Sequence, residues 1–134
     1  MTCDLTFRRK IEALPGGERL GSCFLCGTCS AGCPVSNLDA DYSPRNIMRQ
    51  VLLGDAEALL AGREIWKCIQ CQACVARCPQ DARPADVIEA LREYAVSEGR
   101  ASRELYDGVN TIDDEMKALQ QEKVKALLDQ AGLD

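Results

Sequence analysis

Thiolates are soft metal ligands, and this chain of 134 residues carries nine cysteines. Eight of them form two identical runs. Cys23-x2-Cys26-x2-Cys29-x3-Cys33-Pro34 returns 45 residues later as Cys68-x2-Cys71-x2-Cys74-x3-Cys78-Pro79. The equal offsets mark a repeated site rather than scattered thiols. The run is the bacterial-type C-x2-C-x2-C-x3-C-P pattern that binds [4Fe–4S] cubanes. A cubane presents four iron corners, each needing one thiolate. Cysteines at i, i+3 and i+6 wrap one side of it when the chain between them is small and flexible. Gly27, Thr28 and Ala73 meet that need between the second and third ligands, and Ser30, Ala31 and Gly32 follow the third. In two-cluster proteins of this pattern the fourth cysteine ligates the other cluster. The expected sets are therefore Cys23, Cys26, Cys29 and Cys78 for one cluster, and Cys68, Cys71, Cys74 and Cys33 for the other.

Other thiol chemistry fits less well. Structural zinc usually takes C-x2-C pairs about 12–20 residues apart, not four cysteines in one tight run. Disulfides suit a secreted scaffold, but the count is odd and no signal peptide is recognisable. Cys3 has no counterpart in the repeat. It reads as a free thiol near a terminus or as a contact with a partner chain.

The absence of histidine excludes His-ligated haem, Rieske centres, Cys2His2 fingers and histidine-dependent triads. Sixteen basic against twenty-one acidic residues argue against nucleic-acid binding. The uncharged run from Leu20 to Leu38 is too rich in Gly, Ser, Cys and Pro for a membrane span. Arg8-Arg9-Lys10 is not followed by the apolar stretch an export signal needs, so a cytoplasmic location is expected. Leu, Ile, Val and Phe supply only 30 of the 134 residues, so the core is thin and ligation should help to hold the fold.

The elements that must position the thiols read as helical. Ser43-Pro44 is an N-cap with a first-turn proline, Ile47, Met48, Val51 and Leu52 follow at helical spacing, and Gly54 can end the helix. Asp55 opens a second short helix through Leu59 and Leu60 that Gly62 can stop. After the second block Pro84 answers Pro44, while Val87, Ile88 and Leu91 answer Ile47, Met48 and Val51. Residues 7–14 predict a short helix broken by Pro15-Gly16-Gly17. A C-terminal helix is expected with Asp113, Asp114 and Glu115 in its first turn and Met116, Leu119, Leu127 and Leu128 on one face, set apart by Gly108-Val109-Asn110. That stripe either completes the core or docks a partner. No segment reads as a strand. The expected segments are an N-terminal piece at 1–17, a two-cluster domain at 18–107 and a C-terminal helix at 108–134.

The paired blocks, Tyr42-Ser43-Pro44-Arg45 and Glu64-Ile65-Trp66-Lys67-Cys68 resemble the C-type subunit of heterodisulfide reductases over roughly residues 18–98. The resemblance implies an all-α fold, the α-helical ferredoxin, with an internal pseudo-two-fold repeat around two [4Fe–4S] clusters and all eight repeat cysteines as ligands. It further implies electron relay between a flavin-containing A-type subunit and a disulfide-reducing B-type subunit. The Cys-Cys-Gly pairs that mark B-type catalytic clusters do not occur here. Competing readings are a freely diffusing helical ferredoxin and the iron–sulfur subunit of a membrane dehydrogenase. The latter is weakened by the lack of a plant-type [2Fe–2S] pattern. Arg45, Lys67 and Arg77 lie near ligands and either tune a potential, meet an acidic partner or are solvated. Trp66 either shields a cluster at an interface or is the principal core aromatic.

Overall fold

A computed structural model describes residues 3–133. Among the described residues there are helices and turns and no strand. The chain divides into two compact units, residues 1–101 and 102–134.

The first unit carries α1 (Leu5–Glu12), a 3-10 turn at Leu20–Ser22, α2 (Thr28–Ala31), α3 (Pro34–Leu38), α4 (Pro44–Leu53), α5 (Ala56–Ala61), α6 (Glu64–Lys67), α7 (Ala73–Arg77) and α8 (Pro84–Ser97). Its scaffold is α4 and α8, which pack on each other and on α1. The Ser43 hydroxyl accepts from the Asn46 N–H at 3.2 Å, Pro44 fills the first turn and Gly54 closes α4 in the left-handed conformation at φ 75°. A side chain at Gly54 would also strike the backbone of Asp4, whose N–H donates to the Gly54 carbonyl at 3.1 Å. That contact places the start of α1. Asp4 caps α1 by accepting from the Thr6 N–H at 2.8 Å, so the helix begins at Leu5, ahead of the expected residue 7.

The core is assembled from the equivalent helix faces that the sequence marks. Ile47, Met48 and Val51 of α4 and Val87, Ile88 and Leu91 of α8 are all buried, together with Phe7, Ile11, Leu20, Tyr42 and Ile65. The buried aromatics are Phe7 and Tyr42. Trp66 is only partly buried, so it is not the principal core aromatic; the Arg92 guanidinium lies 5.8 Å from its ring centroid. Arg92 itself is 1% exposed and donates Nε to the Ile65 carbonyl at 2.7 Å and Nη2 to the Cys68 carbonyl at 2.6 Å. It thereby ties α8 to α6 and to the start of the second cysteine block.

The second unit is one helix, α9 (Arg103–Ala131). Ser102 caps it by accepting from the Leu105 N–H at 3.1 Å, and Gly132 ends it in the left-handed conformation. The helix runs through Gly108 without a break. One glycine costs about 1 kcal/mol relative to alanine, which a long run of helix formers outweighs. Asp113, Asp114 and Glu115 therefore lie inside the helix rather than in its first turn. No residue of α9 is buried, and Leu105, Ile112, Met116 and Leu119 are exposed along one stripe. No helix among the described residues is long and apolar enough to cross a membrane.

Candidate metal centre

Each cysteine block folds into the same local conformation. In the first, Leu25 and Gly27 have φ of 60° and 88°; in the second, Gln70 and Gln72 have φ of 54° and 65°. The αL conformation is uncommon for residues with a Cβ, and it recurs at the same two places in both runs. Alternating left- and right-handed residues turns successive backbone N–H groups to one side, making a concavity suited to anions. Two of those groups face sulfur. The Leu25 N–H lies 3.4 Å from Cys23 Sγ, and the Gln70 N–H lies 3.4 Å from Cys68 Sγ. A third, from Ala82, reaches Cys78 Sγ at 3.3 Å. Such contacts set the positive end of a backbone dipole against sulfur.

The eight repeat cysteines gather around two recesses. One is lined by Cys23, Cys26, Cys29 and Cys78, with about 350 Å³ of open space. The other is lined by Cys33, Cys68, Cys71 and Cys74, with about 320 Å³. Each draws three cysteines from one block and one from the other. Pro84 of α8 and Arg45 of α4 border the first recess, and Pro44 of α4 and Ala85 of α8 the second, so both scaffold helices begin between the two recesses. The short helices that carry Cys29 and Cys74, α2 and α7, pack on each other, which brings the two recesses side by side. Hydrogen bonds from α2 to the start of α4 hold this arrangement: Ser30 Oγ lies 2.9 Å from Ser43 Oγ and accepts from the Arg45 N–H at 3.0 Å. Among the described residues no three Cys, Asp or Glu side chains close on a single metal-ion position. Four cysteines line each recess, the number of thiolates that a [4Fe–4S] group takes.

The electrostatics differ around the thiols. Burial pushes the Cys74 thiol up to about 11 and raises those of Cys68 and Cys29. These thiols are protonated at neutral pH without metal, so a metal group bound by them would have to expel protons. Cys26 is fully exposed, and its hydrogen bond with Thr28 lowers its pKa. Tyr42 borders the second recess beside Cys68; burial and neighbouring sulfur both keep the phenol protonated.

The three cations near the ligands have separate partners. Arg45 borders the first recess and donates Nε to the Leu25 carbonyl at 2.7 Å. Lys67 pairs with Asp39 at 2.7 Å, and Arg77 lies against Gly32. Trp66 is absent from both linings, and Cys3 is exposed outside them. None of the nine cysteines forms a disulfide. Sequence reasoning missed three residues around Cys68: Arg92, Tyr42 buried in the recess wall, and Gln70. The signal for Arg92 was a charge at position 92, one turn beyond Ile88 on the apolar stripe of α8. Gln70 carried no local signal.

The 4Fe–4S dicluster domain family matches residues 13–83, more than half of the chain and both cysteine blocks. The C-type subunit of the ferredoxin:CoB–CoM heterodisulfide reductase of Methanosarcina acetivorans is 40% identical over 91 residues, which are 68% of this chain. The chain spans 36% of that relative's length. Two recesses with four thiols each, inside a helical body that matches across both blocks, give one assignment: the chain belongs to the 4Fe–4S dicluster domain family of iron–sulfur electron-transfer proteins and holds two [4Fe–4S] clusters.

Proposed function

We propose that the chain is the electron-relay subunit of a heterodisulfide reductase-like complex. Its ligands would be Cys23, Cys26, Cys29 and Cys78 for one cluster, and Cys68, Cys71, Cys74 and Cys33 for the other. The observation that carries this reading is the lining of the two recesses, each with three cysteines from one block and one from the other. Exchange of the fourth ligand makes the halves of the repeat mutually dependent, in the sense of a pseudo-two-fold arrangement. When bound, a [4Fe–4S] group accepts and returns one electron, with a potential set by hydrogen bonding, charge and exposure.

The chain's own residues do the rest. Backbone N–H groups of Leu25, Gln70 and Ala82 offset negative charge on ligand sulfur. Ile88, Tyr42 and Val35 keep water from the second recess. Packing of α2 on α7 sets the two sites next to each other, the arrangement a relay needs. Cys26 and Cys71 are exposed, leaving each site an edge toward a partner.

The relative's name is that of a subunit of a heterodisulfide reductase, and the sequence resemblance described above supplies the proposed partners, a flavin-containing A-type subunit and a disulfide-reducing B-type subunit, in the cytoplasm. The unburied stripe of α9 is the element we assign to docking within such a complex. A freely diffusing carrier would be isolated alone, whereas a subunit co-purifies with A- and B-type chains under anaerobic conditions. The ligand sets are tested by Cys33→Ser and Cys78→Ser, each examined by EPR after anaerobic purification. Cys33→Ser should perturb the centre bound mainly by the second block, and Cys78→Ser the centre bound mainly by the first. The reverse pattern would overturn the exchanged assignment.

A further inference from the structure

The two sites share a backbone but differ in side chains at equivalent places: Thr28 sets its hydroxyl 3.2 Å from Cys26 Sγ in the first, where the second has Ala73, and positions 25 and 70 differ as well. Leu25 and Gln70 occupy equivalent positions, two residues after the first cysteine, in the same left-handed conformation. Each gives its backbone N–H to that cysteine's sulfur at 3.4 Å. Leucine can add nothing more. Gln70 brings its side-chain Nε2 to Cys68 Sγ at 3.5 Å.

The orientation of that amide is determined by its surroundings. Nε2 also donates to the Ala85 carbonyl at 3.1 Å, and a carbonyl can only accept, so nitrogen must be the atom on that side. The amide oxygen accepts from Gln72 Nε2 at 3.3 Å. With one N–H on Ala85 and the oxygen turned to Gln72, the second N–H is left for the sulfur. Ala85 lies in the first turn of α8 and borders the second recess, so the clamp is part of the site wall.

We propose that Gln70 is a positioning residue that raises the reduction potential of the second centre and leaves that of the first unchanged. This rests on the ligand sets proposed above. One-electron reduction adds negative charge that is shared by the ligand sulfurs. A hydrogen bond donated to Cys68 Sγ strengthens as that charge grows, and so favours the reduced state. The first site has leucine in place of the amide and receives no such bond there.

The repeat supplies the control, because leucine is already accepted on this backbone at position 25. The experiment is an anaerobic redox titration of intact Gln70→Leu and Gln70→Glu protein, with both centres followed by EPR and iron counted on the same samples. Gln70→Leu should shift the reduction equilibrium of one centre about tenfold toward the oxidised state, about 59 mV for a one-electron couple. The other centre should not move and serves as reference. Gln70→Glu, which replaces the donor by an anion of the same shape, should move the same centre further in the same direction. If Gln70→Leu sheds iron, the isosteric glutamate variant decides. Unchanged potentials with full iron content, or a shift of the first-block centre instead, would overturn the role of Gln70. Failure of the ligand sets would show separately, in the Cys33→Ser and Cys78→Ser spectra.

Discussion

Replacing Arg92 with methionine should loosen the second cysteine block without touching any ligand. Methionine keeps an apolar stem in the space while removing the guanidinium. Two carbonyls, of Ile65 and Cys68, then lose donors at 2.7 and 2.6 Å. A hydrogen bond to a charged group contributes about 1.5–3 kcal/mol, so two give about 3–6 kcal/mol. The Cys68 carbonyl is only part-buried and water can replace its donor, which favours the lower end of that range. About 3 kcal/mol corresponds to roughly a hundredfold in an opening equilibrium.

Equilibrium unfolding does not separate one cysteine block from the other, because unfolding of the whole unit and metal loss are coupled. The rate of anaerobic bleaching by an iron chelator is better, since it follows the population of the open block when reclosing is fast. Arg92→Met should bleach the second-block centre roughly a hundredfold faster than wild type by that relation. Arg92→Lys retains the charge but not the planar fork and should fall between them. Bleaching within twofold of wild type, or selective loss of the first-block centre, would refute the role given to this residue.

Gly54→Ala should destabilise the first unit by more than the about 1–2 kcal/mol cost of a left-handed residue, because its Cβ also meets the Asp4 backbone. A lowered Tm with unchanged visible absorbance would check this; an unaltered Tm would contradict it. Asp39 is held below the ordinary carboxylate range chiefly by its hydrogen bond from Lys67. Its folded-state pKa is depressed, so its contribution is present above the unfolded carboxylate pKa and is lost as pH falls through the folded value. Asp39→Asn should therefore flatten the acid limb of a Tm–pH profile; an unchanged acid limb would remove the pair from the stability account.

How far the sequence could be read depends on how local the determining interaction is. The caps at Ser43 and Gly54, the proline starts of α4 and α8 and the two cysteine blocks depend on neighbours in the chain, and all could be read directly. The faces of α4 and α8 were equally plain, because Ile47, Met48 and Val51 recur as Val87, Ile88 and Leu91. Features made by distant chain were not legible. Arg92 reaches the Ile65 and Cys68 carbonyls from another helix, and Gln70 takes its orientation from Ala85. Trp66 looked like the natural core aromatic by size, yet Tyr42 is buried instead, at the wall of the second recess. The run through Gly108 in α9 shows a local breaker overruled by the helix formers around it.

The chain holds two iron–sulfur cubanes. Chemical analysis of anaerobically prepared protein tests it most directly. Two cubanes require about eight iron and about eight acid-labile sulfide per chain. Values near four of each, or zinc in place of iron without sulfide, would contradict it.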